Sequence, residues 1–345
     1  MKFVRDPVHG EISIPDGFLP IVDHPLFQRL RGIKQLGITY LVYPGATHSR
    51  FSHCLGAFHI AKSFGDERIM LYALVHDVGH APLSHVVESA LKKVRVSFDH
   101  DDYLRKYLKE LLSGTTFTLQ DLRKARRKAA LVDGDLGVDR MDYLIRDSYY
   151  TGVTAGNIPW QRLVRLMKVK GGKTIIDPKV VESVEHFFIA RFIMGSTVYM
   201  HKTVLIAQGM FQKALKHLLK DMSYKEIVEM DDAGLVAALR SNEKAREMWG
   251  KIESRNLYKL VRKYGSEKEA KEDYRTLVDQ LGEDAVVMGK RGKWYKPIRV
   301  SLETGERLQR VSPLVSSLMK SDRKKEYHFV AVDRSQFRKA SKLLK

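Results

Sequence analysis

The stretch Ile69-Met70-Leu71-Tyr72-Ala73-Leu74-Val75-His76-Asp77 constrains this chain more than any other. An unbroken run of apolar residues reads as a helix buried on all sides. The expected helix covers about residues 66–78. Its end delivers an imidazole beside a carboxylate, and both groups bind divalent transition metals. If the helix continues, His76 and His80 share one face, with Asp77 turned about 100° away. A lone His-Asp pair is more often a salt bridge or a cap. Its meaning therefore depends on what else the chain can bring to it.

Three further stretches supply candidates. A helix is expected from near Ser49, with an apolar stripe of Phe51, Leu55 and Phe58 and with His53 beside that stripe. Asp139 opens another helix, where Asp139, Tyr143 and Asp147 recur every four residues and share a face. Two His and two carboxylates from three helices describe an open catalytic metal site rather than a closed structural one. Such a metal lowers the pKa of water and polarises a phosphoryl oxygen. Arg50, one turn before His53, suits phosphate. His80 and His100 add imidazoles, and Glu88 follows His85 at a spacing that can orient its ring. Asp135 is the alternative to Asp139. His9, His24 and His48 read as local hydrogen-bonding residues, and Asp142 with Arg146 as an exposed ion pair.

The rest of the chain sets the fold class, mainly α. Asp6 to Pro15 reads as a hairpin turning at Gly10. From Asp16 to about Leu36 the apolar spacing is helical. Further helices are expected from Pro82, over Asp99 to Ser113, and over the basic stretch Asp121 to Lys128, which reads as a solvated face. Asp177-Pro178 starts a helical pattern reaching about Leu219, either one helix or two with a kink. Strands are expected at 285–288, 298–302 and 327–332. This gives an all-helical core over 1–220 and a smaller, basic α+β region over 221–345.

The chain has 345 residues and a formal net charge of +19, which favours polyanionic ligands or serves solubility. Cys54 stands alone, so no intrachain disulfide forms and a reducing, cytoplasmic setting is expected. No apolar stretch is long enough to span a bilayer, and no secretory leader is expected. Lys290, Arg291, Lys293, Trp294, Tyr295 and Lys296 interleave cations with aromatics. That pattern suits either single-stranded nucleic acid or an exposed hairpin.

The segments Arg50-Phe51-Ser52-His53, His76-Asp77-Val78-Gly79-His80-Ala81-Pro82-Leu83-Ser84-His85 and Gly137 to Asp147 together carry a resemblance. The chain resembles the HD-superfamily deoxynucleoside triphosphate triphosphohydrolases over residues 2 to about 215. It is most similar to the catalytic domain of the vertebrate SAM-and-HD-domain enzyme and its prokaryotic relatives. The resemblance implies an all-helical HD core, a nucleotide substrate and hydrolysis to deoxynucleoside and inorganic triphosphate. It implies a metal held by His53, His76, Asp77 and Asp139, with Fe, Mn, Zn and Ni not distinguished and Mg accompanying the nucleotide. His85 would be the general acid oriented by Glu88, and His80 and His100 would line the α-phosphate and attacking water. Arg50 and Arg140 would bind phosphate. Gln35, Tyr143 and Asp147 would face the sugar, and Tyr199 would close its 2′ side. A regulatory nucleotide would involve Lys2, Asp23, Gln28 and Arg31, and a homo-oligomer is expected. Two positions depart from the vertebrate pattern: Met200 stands near the base in place of Gln, and Arg5 in place of Asn. The rival expectations are an HD phosphodiesterase, nucleotidase or nuclease, or a nucleic-acid-binding protein.

Overall fold

The computed structural model describes residues 1–295 and 298–344. Its centre is the helix Glu67–Val75, in which every residue from Ile69 to Val75 is buried. Asp66 caps it by accepting from the Arg68 backbone N–H at 3.1 Å. The helices Arg50–Ala61, Val138–Thr151 and Val181–Met194 complete the first core around it. Ser49 caps the first of these, and a glycine, Gly137, precedes the second.

A second apolar cluster joins the helix Lys202–Leu218 to the helices His85–Lys93, Asp232–Ser241 and Glu243–Glu253. Val287, Phe329 and Ala331 from the C-terminal sheet pack into the same cluster. That sheet is antiparallel, in the order β5 (Lys259–Tyr264), β8 (Tyr327–Val332), β6 (Val286–Arg291). A mixed sheet joins β3 (Met167–Lys170) and β4 (Lys173–Ile176) to β7 (Val300–Leu302). Thr174 pairs with Val300 and Ile176 with Leu302 in parallel register. Tyr295, Ile298, Val300, Leu302, Leu308 and Val315 thereby pack into the first core. The result is the expected mainly α chain: a helical core with an α+β C-terminal region.

Several local expectations change. The hairpin lies one strand earlier, with β1 (Lys2–Asp6) and β2 (Gly10–Ile14) flanking a Pro7-Val8-His9 turn. The pattern after Asp16 breaks into short turns, because Pro25 starts a new one behind its cap His24. The helix expected from Pro82 begins at His85. The long pattern after Asp177 is interrupted by a π-turn at Gly195–Tyr199 and restarts at Lys202. β3, β4 and β5 were not expected. They are short and rich in lysine, so their alternation is weak. Among the described residues no helix is long and apolar enough to cross a membrane.

Candidate active site

His76 caps the C-terminus of the central helix rather than continuing it. His76 and His80 therefore do not share a helical face. The chain instead turns through Asp77, Val78 and Gly79, and the His80 backbone N–H donates to the Asp77 carbonyl at 3.1 Å. A side chain at Gly79 would collide with the His100 carbonyl, 2.0 Å from where its Cβ would sit. This tight turn brings His80 Nε2 to 3.2 Å from Asp77 Oδ1.

Three helices converge beside the turn. His53, fully buried, places Nε2 at 3.3 Å from His76 Nε2. Asp139 Oδ1 lies 3.2 Å from His53 Nε2 and 3.6 Å from His76 Nε2. Asp77 contributes at 3.5 Å from His53 and 3.4 Å from His76. His53, His76 and Asp77 form a group whose ligand atoms could hold one metal ion, and Asp139 faces both imidazoles. The other ring nitrogens are already engaged: His53 Nδ1 by Asp142 at 2.8 Å and His76 Nδ1 by the Ala73 carbonyl at 2.8 Å. Both Nε2 atoms are thus turned to the same point, which is the donor chemistry a divalent cation requires. Burial opposes a charge on His53, and the hydrogen bonds to Asp139 and Asp142 outweigh it, raising its pKa to about 10. Burial likewise opposes charge on Asp77, and Arg50, His76 and His80 together hold its carboxyl well below the usual range. Asp135 is not part of this group. It accepts from the Arg299 backbone N–H at 2.7 Å and lies 3.5 Å from Arg191.

A second cluster of imidazoles lies next to the first. His80 stacks on His100 with ring centroids 4.0 Å apart, and His85 meets His80 edge-on at 4.8 Å. Glu88 joins them, 3.0 Å from His85 Nδ1 and 3.4 Å from His100 Nδ1. Despite its partial burial, these two contacts hold the Glu88 carboxyl well below its ordinary range. Burial and the Arg50 charge push His80 the other way, toward the neutral form. His85 is the exposed member, with its side chain 71% accessible.

Both clusters open into one cleft of about 350 Å³. Gln35, Arg50, Arg140, Tyr143, Asp147 and Tyr199 all line it. Arg50 is buried, bonded to Asp77 and donating to Ser84 at 2.7 Å. Arg140 is anchored by the Gly134 carbonyl at 2.8 Å. Tyr199 donates to Asp147 Oδ2 at 2.6 Å, while His48 holds Oδ1 at 2.7 Å. Tyr199 ends the π-turn and lines the cleft. Lys2, Asp23, Gln28 and Arg31 do not line the cleft. They form two pairs, Lys2 at 3.4 Å from Asp23 and Arg31 at 2.7 Å from Gln28.

Some residues of the site were missed. Trp294 lines the cleft and stacks on Tyr199 with centroids 4.6 Å apart. Its cation-rich surroundings had pointed elsewhere, yet Arg291 and Tyr295 are buried and Lys290 and Lys293 pair with Glu326. Lys296 lies outside the described residues. Tyr72 and Asp133 also line the cleft, bonded at 2.8 Å. The Asp142–Arg146 pair is not exposed: both residues are fully buried.

An HD domain model matches residues 50–147, and an HD-associated region model matches residues 158–282. An uncharacterized protein of Methanocaldococcus jannaschii is 38% identical over 76% of this chain and 60% of its own length. The deoxynucleoside triphosphate triphosphohydrolase SAMHD1 homolog of Dictyostelium discoideum is 29% identical over 75% of this chain and 60% of its own. The chain thus spans about three fifths of the length of these relatives. A solved phosphohydrolase of Bacteroides thetaiotaomicron superposes with a TM-score of 0.79 at 27% identity, covering 97% of this chain and 100% of that one. The chain belongs to the HD superfamily, its HD domain followed by an HD-associated region.

Proposed function

We propose that this chain hydrolyses deoxynucleoside triphosphates to deoxynucleoside and inorganic triphosphate. The observation that carries the reading is that one cleft joins a metal-capable His-Asp group to a His-Glu-His cluster and to the Asp147–Tyr199 pair. The name of the Dictyostelium relative supports the substrate class.

His53, His76, Asp77 and Asp139 would hold the metal, which supplies Lewis acidity toward a phosphoryl oxygen and a more acidic water. In the reaction a water oxygen bonds the α-phosphorus and the bond from phosphorus to the 5′ oxygen breaks. His85 gives the departing 5′ oxygen its proton, and Glu88 orients that ring. His80 and His100 flank the α-phosphate and the water. Arg50 and Arg140 meet phosphate charge at the two sides of the cleft. Asp147, held by His48 and Tyr199, accepts from a sugar hydroxyl. The packed Tyr199 ring leaves no room for a 2′-hydroxyl. Lys2, Asp23, Gln28 and Arg31 are the proposed regulatory nucleotide site, and a cytoplasmic homo-oligomer remains the expectation.

Product analysis with a panel of deoxy- and ribonucleotides tests the reading. Inorganic triphosphate released from dNTPs supports it. Orthophosphate, or cleavage of oligonucleotides or cyclic nucleotides instead, overturns the substrate assignment in favour of another HD phosphohydrolase activity.

A further inference from the structure

Behind the metal-capable group lies a second, fully buried set of polar residues. Asp142 is 0% exposed and accepts four hydrogen bonds. Arg146 donates to both of its oxygens, at 2.9 and 3.0 Å. His53 Nδ1 meets Oδ2 at 2.8 Å, and His9 Nε2 meets Oδ1 at 2.6 Å. A carboxylate has about four lone-pair sites, so this one is saturated.

His9 comes from the turn of the N-terminal hairpin, 133 residues away in sequence. The turn is itself tied into the network. Asp6 accepts from the His9 backbone N–H at 2.9 Å and from Val8 at 3.0 Å. The same carboxylate accepts from Arg146 at 2.8 and 3.3 Å. Gly56 stands one turn after His53 on the same helix. A Cβ there would lie 1.9 Å from Asp142 Oδ1 and 2.4 Å from Arg146 Nη2. The helix carrying His53 thus leaves space for the network at Gly56.

We infer that Asp142 and His9 are positioning residues for the metal ligand His53, and that the N-terminal hairpin thereby sets the strength of the metal centre. The inference rests on the metal-centre reading above. A cation arriving at His53 would displace the Nε2 proton, and Asp142 would keep the remaining proton on Nδ1, so that Nε2 offers its lone pair toward the side of His76 and Asp139. His9 locks the rotation of the Asp142 carboxylate. Without it, Oδ1 loses one of its two partners in a dry interior, where an unfilled acceptor is costly. The carboxylate then turns, and His53 turns with it. Arg146 still grips both oxygens from its own helix, so the hold on His53 is loosened rather than lost.

The test uses the full chain stripped of metal and titrated with Mn²⁺ alone. Wild type, His9→Ala, His9→Gln and Asp142→Asn are compared for Mn²⁺ dissociation constant and for the Tm of the stripped protein. Loss of an outer-shell partner typically weakens metal binding about 10–100-fold, and that loss is expected for His9→Ala. His9→Gln, whose amide nitrogen can take the place of Nε2, should recover most of it at a similar Tm. If Asp142→Asn does not fold, the His9 pair still decides. Wild-type Mn²⁺ affinity in His9→Ala overturns the inference alone. So do equal losses in His9→Ala and His9→Gln that track Tm. A wild-type chain that binds no Mn²⁺ overturns the metal centre together with the inference. A chain that binds Mn²⁺ but turns over no dNTP overturns only the proposed activity.

Discussion

Tyr199 donates its hydroxyl proton to Asp147 across 2.6 Å, and the two residues reach that contact in the cleft from different elements. Asp147 lies on the Asp139 helix, so its position is fixed relative to the metal-capable group. Tyr199 sits on the π-turn, where the backbone departs from the helical path. The contact therefore ties the π-turn to the helix that carries Asp139.

This separates two substitutions of the same residue. Tyr199→Phe keeps the ring and loses only the hydroxyl, so the preference for deoxy- over ribonucleotides should persist. Tyr199→Ala opens the space beside the sugar and should relax that preference more than it slows dNTP turnover, because exclusion by clash is lost. The measurement is kcat/KM for one dNTP and its ribonucleotide counterpart in each protein. Equal efficiencies in wild type would show that the ring excludes nothing.

Asp77 serves several partners. It faces His53 and His76 on one side and is bonded to Arg50 on the other. Asp77→Ala should lose bound metal and hydrolysis together, and it should also destabilise the fold by leaving the Arg50 guanidinium buried without its counter-charge. His76→Ala should lose metal and hydrolysis with a smaller change in Tm, since His76 spends its second nitrogen only on a local carbonyl. Elemental analysis and thermal melts of both variants check this. Full metal occupancy in both would remove the two residues from the ligand set.

The layout of this site was legible in the sequence where it rests on short-range spacing. Asp139, Tyr143 and Asp147 were expected on one face, and all three line the cleft. The cap at Ser49 and the buried run before His76 were also readable, because both depend on local residue types. Long-range pairings were not. His9 and Asp142 are 133 residues apart, and nothing in an i, i+4 Asp-Arg pattern tells a buried pair from an exposed one. The basic neighbours of Trp294 pointed to an exposed hairpin or a nucleic-acid surface, and neither reading placed it in the cleft. Its actual position follows from the parallel pairing of β4 with β7, which no local pattern encodes, and from Asp322 accepting its backbone N–H at 2.7 Å. The turn at Asp77 to Gly79 defeated helical periodicity for a similar reason: its shape is set by the approach of the His100 backbone.

His85 is exposed and, among the described residues, bonded only to Glu88, and it lies outside the metal-capable group. His85→Ala should therefore retain metal and Tm while kcat falls by about 10²–10⁴-fold, the range for a lost general acid. A substrate with a more acidic leaving group should be affected less, since its departure needs less protonation. An unchanged kcat on dNTPs would remove His85 from the chemistry. Glu88→Gln should give a smaller loss, because the ring keeps a neutral partner.

His59 offers a test of the buried hairpin contact that does not depend on catalysis. Its ring stacks on His9 with centroids 5.1 Å apart and meets Trp160 edge-on at 5.8 Å. Burial, followed by the nearby His9 and Lys62, lowers its pKa from 6.5 to about 4, against the opposing pull of Asp142 and Asp6. In the unfolded chain His59 takes up a proton near 6.5, whereas the folded chain refuses it until about 4. Its contribution to stability is therefore fully present above 6.5 and is lost as the pH falls toward 4. His59→Phe keeps an aromatic ring against His9 and Trp160 but removes the titration. The Tm of wild type should fall more steeply than that of His59→Phe between neutral pH and pH of about 4.5, a span that lies mostly inside this window. Parallel Tm profiles for the two proteins would show that His59 is protonated as readily in the folded chain as in the unfolded one, and that the hairpin packs against it less tightly than the stacked geometry requires.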